Sequence, residues 1–195
     1  MKFSTADVKK LRELTGAGIL DAKQALEEAK DLEAAKILLR KKGQATLAKK
    51  SARTAKEGVI VSYIHAGGRV GVLLELNCET DFVARNAEFK SLADELALHS
   101  AAAHPTYLSR EEVPEHVITQ EKQIYLEQTK DKPENVQAKI VAGKLDKFFE
   151  EACLLEQTYV REQNKKIKDL IAESVGKLGE NIQVKRFIRF ALGSE

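Results

Sequence analysis

Two runs, Gly58-Val-Ile-Val-Ser-Tyr-Ile-His65 and Arg69-Val-Gly-Val-Leu-Leu-Glu-Leu-Asn77, are rich in β-branched and apolar residues and are separated by Gly67-Gly68. Strands joined by two glycines predict a hairpin, because both glycines accept the positive φ that a tight turn requires. Most of the remaining sequence has helical rather than strand periodicity, so the hairpin constrains the fold more than any other feature. The last element, Ile182 to Leu192, alternates Val184, Ile188 and Phe190 with Lys185 and Arg189 and predicts a third strand. A hairpin, a distant third strand and intervening helices define an α+β core, a small antiparallel sheet with one face covered by helices.

The helices can be placed by their caps. Ser4 with Asp7 three residues on forms a short capping box, followed by Val8, Leu11 and Leu14 at helical spacing. Thr15-Gly16-Ala17-Gly18 breaks that helix, and a second runs from Ile19 to Ala29, with Ile19, Ala22, Leu26 and Ala29 on one face. Asp31 caps a third helix, which is expected to stop at Gly43. Residues 1–43 thus predict a three-helix module with a thin core. Residues 44–56 continue a basic stretch, with Lys49, Lys50, Arg53 and Lys56, and read as a linker or a solvated helix between this module and an α+β core over 57–195. Within the core, helices are expected near 82–103, with Phe89, Leu92, Ala93 and Leu96 inward, and over 110–129, 134–151 and 165–177. Ser109-Arg-Glu-Glu112 reads as a second capping box.

Composition narrows the function. In 195 residues, 43% hydrophobic content suffices to bury a core, and 32 basic against 30 acidic residues leave a net charge of only +2. A dedicated nucleic-acid binder carries a stronger basic excess, and the basic stretch lacks interleaved aromatics for base stacking. Cys78 and Cys153 are too few for a disulfide framework and lack metal-ligand spacing, so two reduced thiols are expected. The start, Met-Lys-Phe-Ser-Thr-Ala-Asp, lacks a signal-peptide apolar stretch, and no run approaches a membrane span; a cytoplasmic protein is expected. There is no phosphate-cradling Gly-rich loop, and Gly16-Ala-Gly18 follows no strand. His99 and His104 form no metal pattern, and no nucleophile–base set stands out. The expectation is a protein that is not an enzyme and carries no metal or cofactor.

One segment exceeds structural need. Leu76-Asn-Cys-Glu-Thr-Asp-Phe-Val-Ala84 joins a strand to a helix. Either Thr80 or Asp81 is an N-cap with Phe82 in the core, or Asp81-Phe82 is exposed as an acid and an aromatic anchor for a partner.

Several stretches resemble the elongation factor Ts family of bacteria. They are Leu11-Arg-Glu-Leu-Thr-Gly-Ala-Gly-Ile-Leu-Asp-Ala-Lys23, Ala34-Ala-Lys-Ile-Leu-Leu-Arg-Lys-Lys-Gly43, Leu74-Glu-Leu-Asn-Cys-Glu-Thr-Asp-Phe-Val-Ala-Arg-Asn86, Gly179-Glu-Asn-Ile and Arg186-Phe-Ile-Arg-Phe190. They keep their order over nearly the whole chain. The resemblance implies a guanine-nucleotide exchange factor for elongation factor Tu, with an N-terminal module similar to ubiquitin-associated domains. It implies that Thr80, Asp81, Phe82 and Val83 push into the GTPase near its magnesium site, and that Arg12, Ile19 and Leu20 contact its nucleotide domain. His65 matches a further partner-facing histidine. Ile19-Leu20 replaces the family's usual methionine pair, and Ala22 a usual Cys. Longer members carry two similar core halves and this chain one, which implies a homodimer and a heterotetramer with two copies of each protein. The alternatives are a non-exchange adaptor built on the ubiquitin-associated-like module and a nucleic-acid-associated factor using the basic stretch.

Overall fold

The computed structural model describes residues 3–193; the outermost residues of the two expected units, 1–2 and 194–195, lie outside it. The fold is α+β, as the strand and helix periods predict. Helices α1 (Thr5–Thr15), α2 (Ile19–Glu28) and α3 (Leu32–Lys50) form the N-terminal module. Strands β1 (Glu57–Ile64) and β2 (Val70–Cys78) follow, then helices α4 (Asp81–Arg85), α5 (Ala87–Ala103), α6 (Glu115–Glu127), α7 (Glu134–Ala152) and α8 (Ile167–Leu178), and strand β3 (Gln183–Ala191).

The two N-caps predicted in the N-terminal module form. The Ser4 hydroxyl accepts the Asp7 N–H and Asp7 accepts the Ser4 N–H, while Asp31 accepts the Ala34 N–H. Gly16 closes α1 in the left-handed region at φ 65°. Leu11, Ala22, Ala25, Leu26 and Ala35 make the module's small core. Leu14, at helical spacing with buried Leu11, and Ile19, grouped on one face with buried Ala22 and Leu26, are exposed.

Helix α3 departs from expectation: it passes through Gly43 and ends at Lys50. One mid-helix glycine costs about 1 kcal/mol, too little to stop a helix held on both sides. Its second half lies on α8, and Leu47 packs against the sheet core. Residues 44–56 are therefore not a free linker. Beyond the helix, Ala55 is buried, and the carboxamides of Asn77 and Asn181 donate to the carbonyls of Ala55 and Arg53 at 3.4 and 2.7 Å.

The sheet is antiparallel in the order β1-β2-β3. Gly67 and Gly68 turn the hairpin with φ of 89° and 66°. Helix α5 covers one face through Phe89, Leu92, Ala93 and Leu96, all buried as predicted against Val72, Leu74 and Leu76. The predicted alternation of β3 fails at one point. A bulge opposite Glu75/Leu76 leaves Lys185 unpaired, so Val184 faces the core while Ile188 and Phe190 point to the other face. There the cross-strand rows Ile64–Gly71–Phe190 and Ser62–Leu73–Ile188 leave Ile64, Leu73, Ile188 and Phe190 exposed, with Ile60 beside them.

The helix expected over 82–103 is two helices. Asn86 takes an extended conformation and its side chain accepts the Glu88 N–H at 2.8 Å, closing α4 and opening α5. Ser109 makes no side-chain cap; residues 110–112 form one 3-10 turn. Helices α6 and α7 make a hairpin whose base is the small cluster of Val113, Phe149 and Cys153. Among the described residues, no helix is long and apolar enough to cross a membrane.

Candidate functional site

Strand β2 ends at Cys78 and α4 begins at Asp81, so Glu79 and Thr80 make the whole turn between sheet and helix. The sequence left two readings of this corner open, and the structure combines them. Thr80 is the N-cap of α4, its hydroxyl accepting the Val83 N–H at 3.4 Å. Phe82 is nevertheless outside the core, with 80% of its surface exposed. Ala84 is buried and Val83 packs against the sheet core, so the inward face of α4 is already filled. Asp81 sits half-buried beside the ring and pairs with Arg85 at 2.9 Å.

The turn is gripped from the α8–β3 connection. The Glu180 carboxylate accepts the Glu79 and Thr80 N–H groups, each at 3.0 Å, and the Thr80 hydroxyl at 2.6 Å. The Glu79 carboxylate accepts the Asn181 N–H at 2.6 Å and faces Arg53 at 3.5 Å. Burial, reinforced by the Glu180 charge, pushes the Cys78 thiol up to about 11, and its Sγ lies 3.1 Å from the Thr80 carbonyl. Glu79 follows β2 while Glu180 and Asn181 precede β3, so no local pattern joins them and only the fold makes them neighbours.

The other predicted residues lie elsewhere. On the module, Ile19 and Leu20 are 58% and 81% exposed at the start of α2. Exposed Arg12 donates through Nε to the Ala17 carbonyl at 3.2 Å, which keeps it beside the same turn. His65 is exposed next to the hairpin turn, its Nδ1 3.2 Å from the Tyr63 hydroxyl. Glu57 pairs with Cys78, so the length of β1 puts His65 about 25 Å from the Phe82 corner along the strand. The fold thus groups Thr80–Val83, groups Arg12 with Ile19 and Leu20, and leaves His65 apart.

The cations of the basic stretch are largely engaged within the protein. Lys36 pairs with Glu33 and Lys42 with Asp21, each at 2.7 Å, Arg40 pairs with buried Asp169, and Lys50 donates to the Gly179 carbonyl. Among the described residues, no group of three or more His, Cys, Asp or Glu is arranged to hold a metal ion.

An exposed aromatic beside a carboxylate, on a backbone gripped by its own hydrogen bonds, offers contact chemistry. So do two exposed aliphatic side chains at a helix start. An α+β fold presenting such surfaces defines a protein of the interaction class. The family model for Elongation factor TS matches residues 3–194. The chain is 61% identical over 194 residues to Elongation factor Ts of Thermotoga maritima, covering 99% of this chain and 98% of that protein. It is 60% identical over 196 residues to Elongation factor Ts of Thermotoga neapolitana, with all of both chains covered, and 55% identical over 196 residues to that of Fervidobacterium nodosum, with 99% and 100% covered. The chain belongs to the elongation factor Ts family, a family of translation elongation factors.

Proposed function

We propose that this protein binds elongation factor Tu in its GDP form and promotes release of GDP, so that GTP can reload. In this reading the protein is not an enzyme: it makes and breaks no covalent bond. A partner that prefers the nucleotide-free GTPase must weaken GDP binding by the same factor. A hundredfold weakening needs about 2.8 kcal/mol of coupling. Mg²⁺ demands near-octahedral geometry and bridges to phosphate, so displacing the segment that positions it applies that coupling efficiently. Thr80, Asp81, Phe82 and Val83 are the residues assigned to this step. Arg12, Ile19 and Leu20 of the N-terminal module hold the nucleotide domain, and His65 makes a separate contact.

The observation that carries the reading is Phe82: a large aromatic, 80% exposed, on a corner tied down by hydrogen bonds. A monomer gains nothing from displaying it, and a partner pocket does. The core, residues 57–195, carries a dimerisation surface in this proposal. Its uncovered sheet face, with Ile60, Ile64, Leu73, Ile188 and Phe190 exposed, suits a second copy supplying the missing layer, giving a heterotetramer with two copies of each protein. The setting is the cytoplasm, with elongation factor Tu as the direct partner rather than nucleic acid or membrane.

Labelled-GDP release from elongation factor Tu, followed by stopped flow, tests this. The wild-type protein is expected to accelerate release, and Phe82→Ala to lower the acceleration by about tenfold or more, as for an interface anchor. Because the ring packs on little of its own chain, Phe82→Ala should change stability by only about 0.5 kcal/mol, not the ~3–5 kcal/mol of a core phenylalanine. A strongly destabilised variant with full exchange per folded molecule would overturn the assignment.

A further inference from the structure

We infer that Glu180 is the positioning residue of the Asp81–Phe82 corner: from the turn after α8, its carboxylate fixes the backbone on which the exposed ring stands. This rests on the exchange reading above and names what makes the wedge stiff.

Phe82 is too exposed for packing to hold it, so its place in space is set by the backbone of Glu79 to Asp81. The five-residue helix α4 cannot hold itself there, since so short a helix is unstable alone. Val83 and Ala84 seat its inward face on the core, and the turn that leads into it is held by the clasp. One carboxylate takes three donors from two consecutive residues, the N–H groups of Glu79 and Thr80 on one oxygen and the Thr80 hydroxyl on the other. Such charge-assisted bonds are the strong ones. The hydroxyl has a single proton. Directing it at Glu180 leaves its lone pairs toward the Val83 N–H, so Glu180 also sets the cap that starts α4. The anchor end is itself fixed. Asn181 and Ile182 are buried, the Asn181 N–H returns a bond to the Glu79 carboxylate, and its carboxamide holds the Arg53 carbonyl. The two segments exchange carboxylates, each bonding the other's backbone. A wedge ordered before it meets its partner avoids the entropy cost of ordering at the interface.

The test uses the full chain with Glu180→Ala and Glu180→Gln. A glutamine carbonyl can accept both backbone N–H groups, and its NH₂ can donate to the Thr80 hydroxyl, so Gln keeps the backbone bonds without the charge and with the Thr80 bond reversed, while Ala removes all three. Two readouts are needed. The chain has no tryptophan, so Phe82→Trp installs a single probe at the corner. Its time-resolved anisotropy in the free protein should gain a large fast component with Glu180→Ala and little with Glu180→Gln. Second, GDP release from elongation factor Tu is measured against factor concentration without the tryptophan probe. A misplaced wedge should lower the limiting rate about tenfold or more, since displacement by about 1 Å can cost up to a hundredfold. The half-saturating concentration should move by less than about threefold, and Glu180→Gln should stay within about threefold of wild type in both parameters.

Unchanged anisotropy, an unchanged limiting rate, or Gln as damaging as Ala would overturn the inference. If Glu180→Ala does not fold, amide hydrogen exchange of the wild type decides instead: protected Glu79 and Thr80 N–H groups support the clasp, and fast exchange there overturns it. If the wild type fails to accelerate GDP release, the exchange reading falls, while the anisotropy still reports on Glu180.

Discussion

Asp81 and His99 show how differently two polar side chains can serve one chain. Asp81 is half-exposed, and its pair with Arg85 is a surface pair worth about 0–1 kcal/mol. Asp81→Ala should therefore cost this protein little stability. If the corner acts on the magnesium site of the GTPase, a chelator already loosens GDP, so wild-type protein should accelerate release less without Mg²⁺ than at millimolar Mg²⁺. Asp81→Ala should shrink the magnesium-dependent part most, in stopped-flow release with and without the metal. Equal acceleration by wild type in both conditions would exclude the metal-site mechanism. His99 is fully buried. Its Nδ1 accepts the Val160 N–H at 3.3 Å, which leaves Nε2–H to donate to Gln157 at 2.9 Å. Burial lowers its pKa, only partly offset by the Gln157 bond, so the folded protein holds it neutral. The unfolded chain takes up a proton near the ordinary value of about 6.5, so this contribution is present above that pH and is lost as pH falls toward the lowered folded pKa. The melting temperature should decline as pH drops below about 6.5, and His99→Gln should flatten that slope.

At the scale of elements, termini followed local chemistry where a side-chain cap was strong, and tertiary packing where a breaker was weak. Ser4 and Asp31 started their helices as read. Gly43 did not end α3, because α8 and the sheet core hold the second half of that helix. Gly143, in α7, has open space where a Cβ would stand. Gly143→Ala should stabilise the protein by about 0.5–1 kcal/mol and raise the melting temperature by about 1–4 °C, measured by calorimetry. The bulge in β3 marks the opposite case. The residues 183–191 carry a strand period, but one extra residue at Lys185 reverses the faces of everything after it. Ile188 and Phe190, which pattern alone grouped with Val184, moved to the open face for this reason.

Across the whole molecule, α8 ties the parts together. Asp169 in its first turn is buried and bonded by Arg40, by Gln44 at 2.5 Å and by the Lys166 N–H at 3.1 Å. Burial pushes the Asp169 carboxyl up, but these donors outweigh it and hold the net value below the usual range. The turn after its last residue carries Glu180 and the clasp. Helix α8 therefore links the end of the module to the Thr80–Val83 corner through one rigid element. The open sheet face is the remaining large-scale feature. If it pairs with a second copy, wild-type protein should sediment at about twice 21.7 kDa at micromolar concentration, and Phe190→Asp should give a monomer with its secondary structure intact. A wild-type monomer at those concentrations would remove the dimer from the proposal.

Local sequence carried the strand and helix periods, the Ser4 and Asp31 caps and the hairpin turn, since each depends on neighbours within about four residues. It also carried the Thr80–Val83 corner as an unusual segment, and family likeness supplied the role proposed for it. Whether Phe82 was a core residue or an exposed ring was not local information. That depended on Val83 and Ala84 filling the inward face of α4. The grip of Glu180 on Glu79 and Thr80, and of Asp169 on Arg40 and Gln44, joins residues 100 or more positions apart. Such bonds exist only once β3 and α8 have packed against β2 and α3, because a hydrogen bond needs its partners within about 3 Å and chain proximity cannot supply that.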